Sequence, residues 1–494
     1  MLPGFSVYYS LEFTTASGPG SWTPVVAGIW VALGIVVGEQ IGGNRMSTDL
    51  AEIQAQLARA GVAGVTIAWA DNNGIPRSRT VPLAGLADAV AHGVGITPLF
   101  AVFDSHDGIT FSHSRLSTPS GDIRLVPEAD RITPLAGQPG FAWAPGRQVG
   151  PDGAPWPYDQ RTRLEAQVAR AAAAGLSVRA GFEMEFFVSF PGDEPAAAQQ
   201  GPAYSPHALL QVDEFAAALL RNLDANGVPI GQFHAEYGLS QVELSLAAAD
   251  PVTAADRQLL ARQTIHAAAR AHGLRVSFAP LVTVEGVGNG WHLHVSVSRG
   301  GENLLADRGQ GVPEGDGARF LAGLLRDLPA IAAVSAPSVP SLLRRRPGYF
   351  AGAYQFWGVE NREAPLRYVP ASPFIGTDRA NVELKASDAS ANPYLALTAV
   401  LVAGLAGIEE SPDLPPPVQQ DPGTWSDEQR RARGIVALPA TPEDQERALL
   451  GNKRIGEALG EPLLGAFVAV RRADAAWAAD RTPAETVASH RWRY

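Results

Sequence analysis

The stretch "GFEMEFFVS", residues 181–189, puts two glutamates two positions apart inside a run that is otherwise apolar. A helix would throw Glu183 and Glu185 to nearly opposite sides. A strand, with its side-chain period of two, sets both on one face and Phe182, Met184 and Phe186 on the other. The pattern therefore demands a sheet with one buried and one polar face. Two carboxylates this close repel by roughly 3 kcal/mol at an effective dielectric near 20, so a compensating charge has to sit beside them.

The same alternation recurs. In "SQVELSL", Gln241 and Glu243 share a face against Val242 and Leu244. In "GWHLHVSVS", His292, His294, Ser296 and Ser298 oppose Trp291, Leu293, Val295 and Val297. In "NVELKAS", Asn381, Glu383 and Lys385 alternate with Val382 and Leu384. The segment before Glu243, read as a loop, adds His234 and Glu236. An open antiparallel sheet with one wet face accounts for any one such strand. It accounts poorly for a stripe dominated by Glu and His. The carboxylates of Glu183, Glu185, Glu236, Glu243 and Glu383 with an imidazole suit Mg²⁺ or Mn²⁺ better than zinc. Such ions would supply the missing compensation.

Composition sets the outer limits. At 494 residues, 46% hydrophobic and 18% charged, the chain has room for two or more ordinary globular domains. A net charge of −11 with no dominant basic face argues against nucleic acid as a partner. The absence of cysteine excludes disulfides, thiolate catalysis and zinc–thiolate sites, and fits a cytoplasmic protein. Residues 1–45 are unlike the rest: the apolar stretch from Val25 to Val37 is short for a bilayer span, and no Lys or Arg precedes it. We read Met46 as the natural start and 1–45 as an incidental leader, with no membrane association. Ser47 or Thr48 is expected to cap the amphipathic helix that follows.

Three parts are expected: the leader, an N-terminal β-rich domain over 46–145, and a catalytic domain over 146–494. "VTIAWADNNGIPRSRTVPL" (65–83) reads as two strands about a turn at Asp71–Gly74. "ITPLFAVFD" and "GDIRLVPEAD" complete the β-rich unit, and the Pro/Gly-rich 137–157 marks its end. Helices then alternate with strands, and "ANPYLALTAVLVAGLAGI" starts a helix with Asn392 as cap and Pro393 at its first position. The segments "SLLRRRPGYF" (341–350) and "GVENREAPLR" (358–367) concentrate five arginines. Guanidinium forks beside a carboxylate-held metal, with no P-loop sequence, point to nucleotide-dependent phosphoryl chemistry outside the P-loop class.

Taken in order, "GFEMEFF", "HAEYGLSQVE", "GNGWHLHVS", "NR" with a following Arg, and "VELKASDASANPYLAL" resemble the glutamine synthetase family from about Met46 onward. The resemblance implies an α+β fold: an N-terminal β-grasp domain, then a catalytic domain with an antiparallel sheet funnel flanked by helices. It also implies a homo-oligomer, a dodecamer of two stacked hexamers, each site completed by a neighbour's N-terminal domain. Glu185, Glu236 and Glu243 would hold one metal ion, and Glu183, His292 and Glu383 a second. His294 and Ser296 would face ATP. Arg344 would hold the α-carboxylate of a glutamate-like acid beside Gly288, and Arg362 and Arg367 would stabilise the transferred phosphate. Glutamate's γ-carboxylate would attack ATP to give an acyl phosphate, and an amine would displace the phosphate.

The departures from the family pattern bear on that amine. Ammonia-using members carry a glutamate after "PGY", where this chain has Phe350. An aromatic ring there neither attracts ammonium by charge nor removes its proton, but can wall a pocket for an organic amine. Val287 replaces a common asparagine, and Lys385 and Asn381 replace common arginines. The neighbour-contributed aspartate is Asp104 or Asp107. The expected activity is therefore an ATP-dependent ligase of a small acid and an amine, of the γ-glutamylamine type. An ammonia-using glutamine synthetase, a non-catalytic assembly of the same fold and a metal-dependent phosphohydrolase are the competing readings.

Overall fold

The architecture follows from where the apolar faces go. Phe182, Met184, Phe186 and Val188 are buried, as are Trp291, Leu293, Val295 and Val297. The backs of two adjacent strands thus form the middle of the core, with the Phe182 and Trp291 rings stacked 4.4 Å apart. The computed structural model describes residues 49–494, apart from 114, 117, 119, 308 and 310. The leader, Met46, Ser47 and Thr48 lie outside the described residues. The first described helix, Leu50–Arg59, takes Asp49 as its cap in place of Ser47 or Thr48, with the Asp49 carboxylate accepting from the Ala51 and Glu52 amides.

The first sheet contains β1 (Gly64–Ala70), β2 (Pro76–Pro82), β3 (Val94–Ile96), β4 (Ile123–Pro127), β5 (Thr133–Pro134) and β6 (Phe141–Val149). Its order is β2-β1-β6-β4-β3, with β5 on β6. β1 and β2 form the expected hairpin. Its turn is closed by the Asp71 carboxylate, which accepts from the Asn73 and Ile75 amides at 2.8 and 3.1 Å. The sheet is consistent with a β-grasp. Two local expectations change. "ITPLFAVFD" is mostly a 3₁₀ helix, Pro98–Val102, because Thr97 caps it and Pro98 opens it. The Pro/Gly-rich stretch expected as a boundary contains β6, so residue 145 falls inside a strand. Pro145 and Gly146 stand where β6 stops pairing with β1 and starts pairing with β4. The described residues, from Asp49 onward, form one compact unit.

The second sheet contains β7 (Leu176–Phe190), β8 (Ala196–Ala197), β9 (Ile230–Ala235), β10 (Gln241–Leu246), β11 (Arg275–Ser277), β12 (Trp291–Arg299), β13 (Glu302–Asn303), β14 (Trp357–Val359), β15 (Leu366–Val369) and β16 (Asn381–Leu384). Its main path is β14-β15-β16-β12-β7-β10-β9, and every pair along it is antiparallel except β14 with β15. Helices Gln160–Ala173, Asp213–Ala225, Pro251–Ala271, Gly315–Ser335 and Pro393–Glu410 cover its apolar side. Among the described residues, Pro393–Glu410 alone is long and apolar enough to cross a membrane, and here it is a core helix, 83% buried. Gly323 lets the helix Gly315–Ser335 pack directly on it, since a Cβ there would come 2.2 Å from the Ala403 carbonyl oxygen.

Asn392 does more than cap. Its Oδ1 accepts from the Tyr394 and Leu395 amides, while its Nδ2 donates to the carbonyls of Ala70 and Asp71 in the hairpin. One side chain thus starts the core helix Pro393–Glu410 and fastens the N-terminal sheet to it.

Candidate active site

The strand register lines up the polar stripe. Glu243 of β10 lies opposite Glu185 of β7 on one side and His234 of β9 on the other. Glu183 of β7 faces His292 of β12. Glu383 of β16 lies between His294 of β12 and Arg367 of β15. His234 therefore sits on a strand, and only Glu236 falls just past its end. The cause is pairing: β9 is an edge strand whose partner fixes it, which its own sequence does not show.

The repulsion between Glu183 and Glu185 is answered inside the protein by imidazoles. His292 Nδ1 lies 3.3 Å from Glu183 and 3.3 Å from Glu383, and its Nε2 lies 3.6 Å from Glu185. His294 Nε2 is 3.3 Å from the other Glu183 oxygen. Burial works against the charged form, yet these two rings hold Glu183 well below the usual carboxylate range. Glu383 is likewise buried but held low, by Lys385 at 3.2 Å and by His294 and His292. Arg367 donates to its second oxygen at 2.8 Å. Glu243 meets only His234, at 3.7 Å, and burial, then Glu185, Glu183 and Glu236, push it up to about 9. That end of the stripe carries more negative charge than the protein alone offsets.

Candidate donor atoms converge in overlapping sets. Glu183, His292 and Glu383 come together, as expected for one ion. The other expected set, Glu185 with Glu236 and Glu243, divides: Glu185 and Glu243 group with His292, and Glu236 and Glu243 group with His234. The reason is electrostatic. His234 approaches Glu236 at 2.9 Å and is raised by that bond, Tyr204 donates to the opposite oxygen at 2.6 Å, and together they draw Glu236 aside and lower it against its burial.

The arginine segments reach the same end of the sheet. Arg344, last residue of the helix Val339–Arg344, is buried and donates to the Ser387 carbonyl at 2.7 Å. Its side chain lies over Gly288, where a Cβ would come 2.4 Å from Arg344 Cγ. Arg362 is exposed, with no side-chain partner among the described residues. Ser296 and His294 lie on the polar face of β12, and His294 Nδ1 is 2.9 Å from Asn381 Oδ1. Of the two aspartates, Asp104 accepts from the His106 and Gly108 amides of its own loop. Asp107 is exposed and pairs with Arg77 and Arg493.

Phe350 is 60% exposed and sits at φ +54°, a left-handed conformation that a bulky residue adopts only when held. The holder was not visible in the sequence. Glu363, buried next to Arg362, accepts from the Gly348 amide with one oxygen and from the Phe350 amide with the other, at 3.3 and 3.0 Å. Burial and the nearby Asp421 raise its pKa. Arg346 lies over the Tyr349 ring at 4.2 Å. Glu363→Ala is expected to free this loop. Steady-state kinetics should then show the KM for amine rising about tenfold with the KM for ATP little changed, and Glu363→Gln, which keeps one acceptor, falling between. An equal loss in every parameter would assign Glu363 to folding alone.

The glutamine synthetase catalytic-domain model matches residues 157–487. The chain belongs to the glutamine synthetase family, and so is an enzyme of the carboxylate–amine ligase class. Among its relatives, it is 43% identical over 447 residues to gamma-glutamylpolyamine synthetase GlnA3 of Streptomyces coelicolor, covering 90% of this chain and 96% of that one. It is 33% identical over 330 residues to a glutamine synthetase of Clostridium saccharobutylicum, covering 66% of this chain and 73% of that one. A crystal structure described as a novel glutamine synthase homolog superposes with a TM-score of 0.79 at 33% identity, covering 88% of this chain and 99% of that chain.

Proposed function

We propose that this enzyme joins the γ-carboxylate of glutamate, or a closely similar acid, to an organic amine at the expense of ATP. The observation that carries the reading is Phe350, an exposed aromatic side chain on the flap where ammonia-using members of the family place a carboxylate. The likeness to a gamma-glutamylpolyamine synthetase over 90% of the chain supports it.

The chain's own groups suit the steps. Arg344 binds the α-carboxylate with Gly288 beside it, which leaves the γ-carboxylate free to react. That carboxylate oxygen attacks the terminal phosphorus of ATP, the bond to the bridging oxygen breaks, and ADP leaves with the electron pair. Arg362 and Arg367 offset the charge on the transferred phosphoryl oxygens, and Lys385 lies at the reacting carboxylate. The amine nitrogen then attacks the acyl carbon, phosphate departs, and the amine gives up one proton. The site fits divalent ions because carboxylate oxygens and imidazole nitrogens converge there in overlapping sets of three, their donor atoms within 4.8 Å of one another. Glu185, Glu236 and Glu243 would hold one Mg²⁺ or Mn²⁺, and Glu183, His292 and Glu383 the other. Bound there, such ions neutralise phosphate oxygens and orient the nucleotide. The working enzyme is cytoplasmic and a dodecamer of two hexameric rings, with Asp104 or Asp107 of one subunit completing the next site.

ADP release measured across a panel of acids and amines tests the reading. Release is expected only with a glutamate-like acid, and faster with alkyl amines, diamines or polyamines than with ammonium. Ammonium equal to the best organic amine would make the protein an ordinary glutamine synthetase. No release with any pair would favour a non-catalytic assembly.

A further inference from the structure

A second cluster of arginines lies outside the active site. The β1–β2 hairpin, the helix Pro251–Ala271 and residues 492–494 enclose an open cavity of about 740 Å³. Arg77, Arg262, Gln263, His266, Arg270 and Arg493 are among its lining residues, and no aspartate or glutamate of the described residues lines it. That is unusual in a chain of net charge −11. Arg262, His266 and Arg270 follow at intervals of four, so the helix offers all three along one face.

Two of the arginines are already neutralised. Arg77 pairs with Asp71 at 2.8 Å and with Asp107 at 2.7 Å, and Arg493 pairs with Asp107 at 2.6 Å. The other two are not. Arg270 is exposed, and no carboxylate among the described residues pairs with it. Arg262 is 1% exposed. Its Nη1 donates to the carbonyls of Gly74 and Ala389 at 2.9 and 3.3 Å. Its Nε and Nη2 are buried with no acceptor. Burial lowers its pKa to about 10. Its guanidinium carbon lies over the Phe278 ring, 5.2 Å from the centroid, so two donors of a buried guanidinium are left with no carboxylate partner among the described residues.

We propose that this cavity binds a small polyanion, either a compact di- or tricarboxylate or a phosphate-bearing molecule. Guanidinium forks recognise both groups through the same paired N–H donors. Arg262 and Arg270 are two helical turns apart, about 12 Å along the axis, so one ligand with two anionic ends serves both better than a single-charge ion. Phe141 and Trp492 give the cavity aromatic walls that accept the ligand's carbon or ring portion. Because the walls come from the hairpin, the helix and the chain's last residues, a bound anion ties the N-terminal sheet to the catalytic core. Arg77 and Arg493 touch the proposed active site only through Asp107; Arg262 and Arg270 lie apart from it.

The experiment is calorimetric titration of the full-length protein, without divalent metal, with citrate and with pyrophosphate at matched ionic strength, beside thermal unfolding. Saturable binding of about one anion per chain with a raised melting temperature is expected, and the stronger probe tells carboxylate from phosphate ligands. Arg270→Ala, an exposed change, should weaken binding at least tenfold and leave ligase turnover intact. Arg262→Gln should abolish it if the variant folds. Arg362→Ala should leave it unchanged. No saturable binding by either probe, or binding lost in Arg362→Ala and kept in Arg270→Ala, overturns the proposal.

Discussion

Glu383→Gln is expected to lower ADP-forming turnover by about a thousandfold, or roughly 4 kcal/mol of transition-state stabilisation, with the fold and assembly retained. Glu383 is 1% exposed and meets Arg367, Lys385 and His292 at once. Its negative charge is what holds Arg367 and Lys385 beside the candidate metal-binding set. Glutamine keeps the shape and one acceptor but removes the charge. Alanine is the harsher change, since leaving Arg367 and Lys385 without their buried partner costs about 3–5 kcal/mol of stability. Glu185→Gln and Glu243→Gln should act at the other metal set. Turnover measured against Mg²⁺ concentration separates the effects: each variant should need far more Mg²⁺ for half its activity. Near wild-type turnover at ordinary Mg²⁺ in all three would remove the two-metal reading.

The stripe was legible because a period of two is a local property. Glu183, Glu185, Glu243, His292 and Glu383 reveal their common face in segments of seven or nine residues, and their apolar alternates form the core. What was not legible depends on pairing across the fold. His234 looked like loop because β9 is short and gains its strand character from β10. β6 was hidden by Pro145 and Gly146, which mark a change of partner within one strand. Tyr204 reaches Glu236 from a segment 32 residues away that has no periodicity. Glu363 drew no notice because its neighbour Arg362 carries the recognisable pattern, while its own task is to hold backbone amides of the flap. The division of the second donor set was also beyond sequence, since it turns on which cation each carboxylate finds nearest.

Phe350→Glu is expected to reverse the order of amine preference. In ammonia users the flap carboxylate both attracts ammonium and takes its proton, and an exposed phenyl ring does neither. An organic amine instead gains about 0.8 kcal/mol for each CH₂ it buries against the ring. Three or four such groups amount to about 2.4–3.2 kcal/mol, a preference of roughly a hundredfold over ammonia. Glu363 fixes the Phe350 backbone through its amide, so a side-chain exchange there changes chemistry without first moving the loop. With glutamate saturating and pH matched, the wild type should show kcat/KM for its best alkyl amine or diamine far above that for ammonium. The Phe350→Glu variant should lose most of the alkyl contribution and gain with ammonium, and Phe350→Leu, apolar but smaller, should keep the wild-type order with a reduced gap. If Phe350→Glu left the ratio unchanged, the flap side chain would not be the selector, and the choice of amine would have to lie elsewhere in the site.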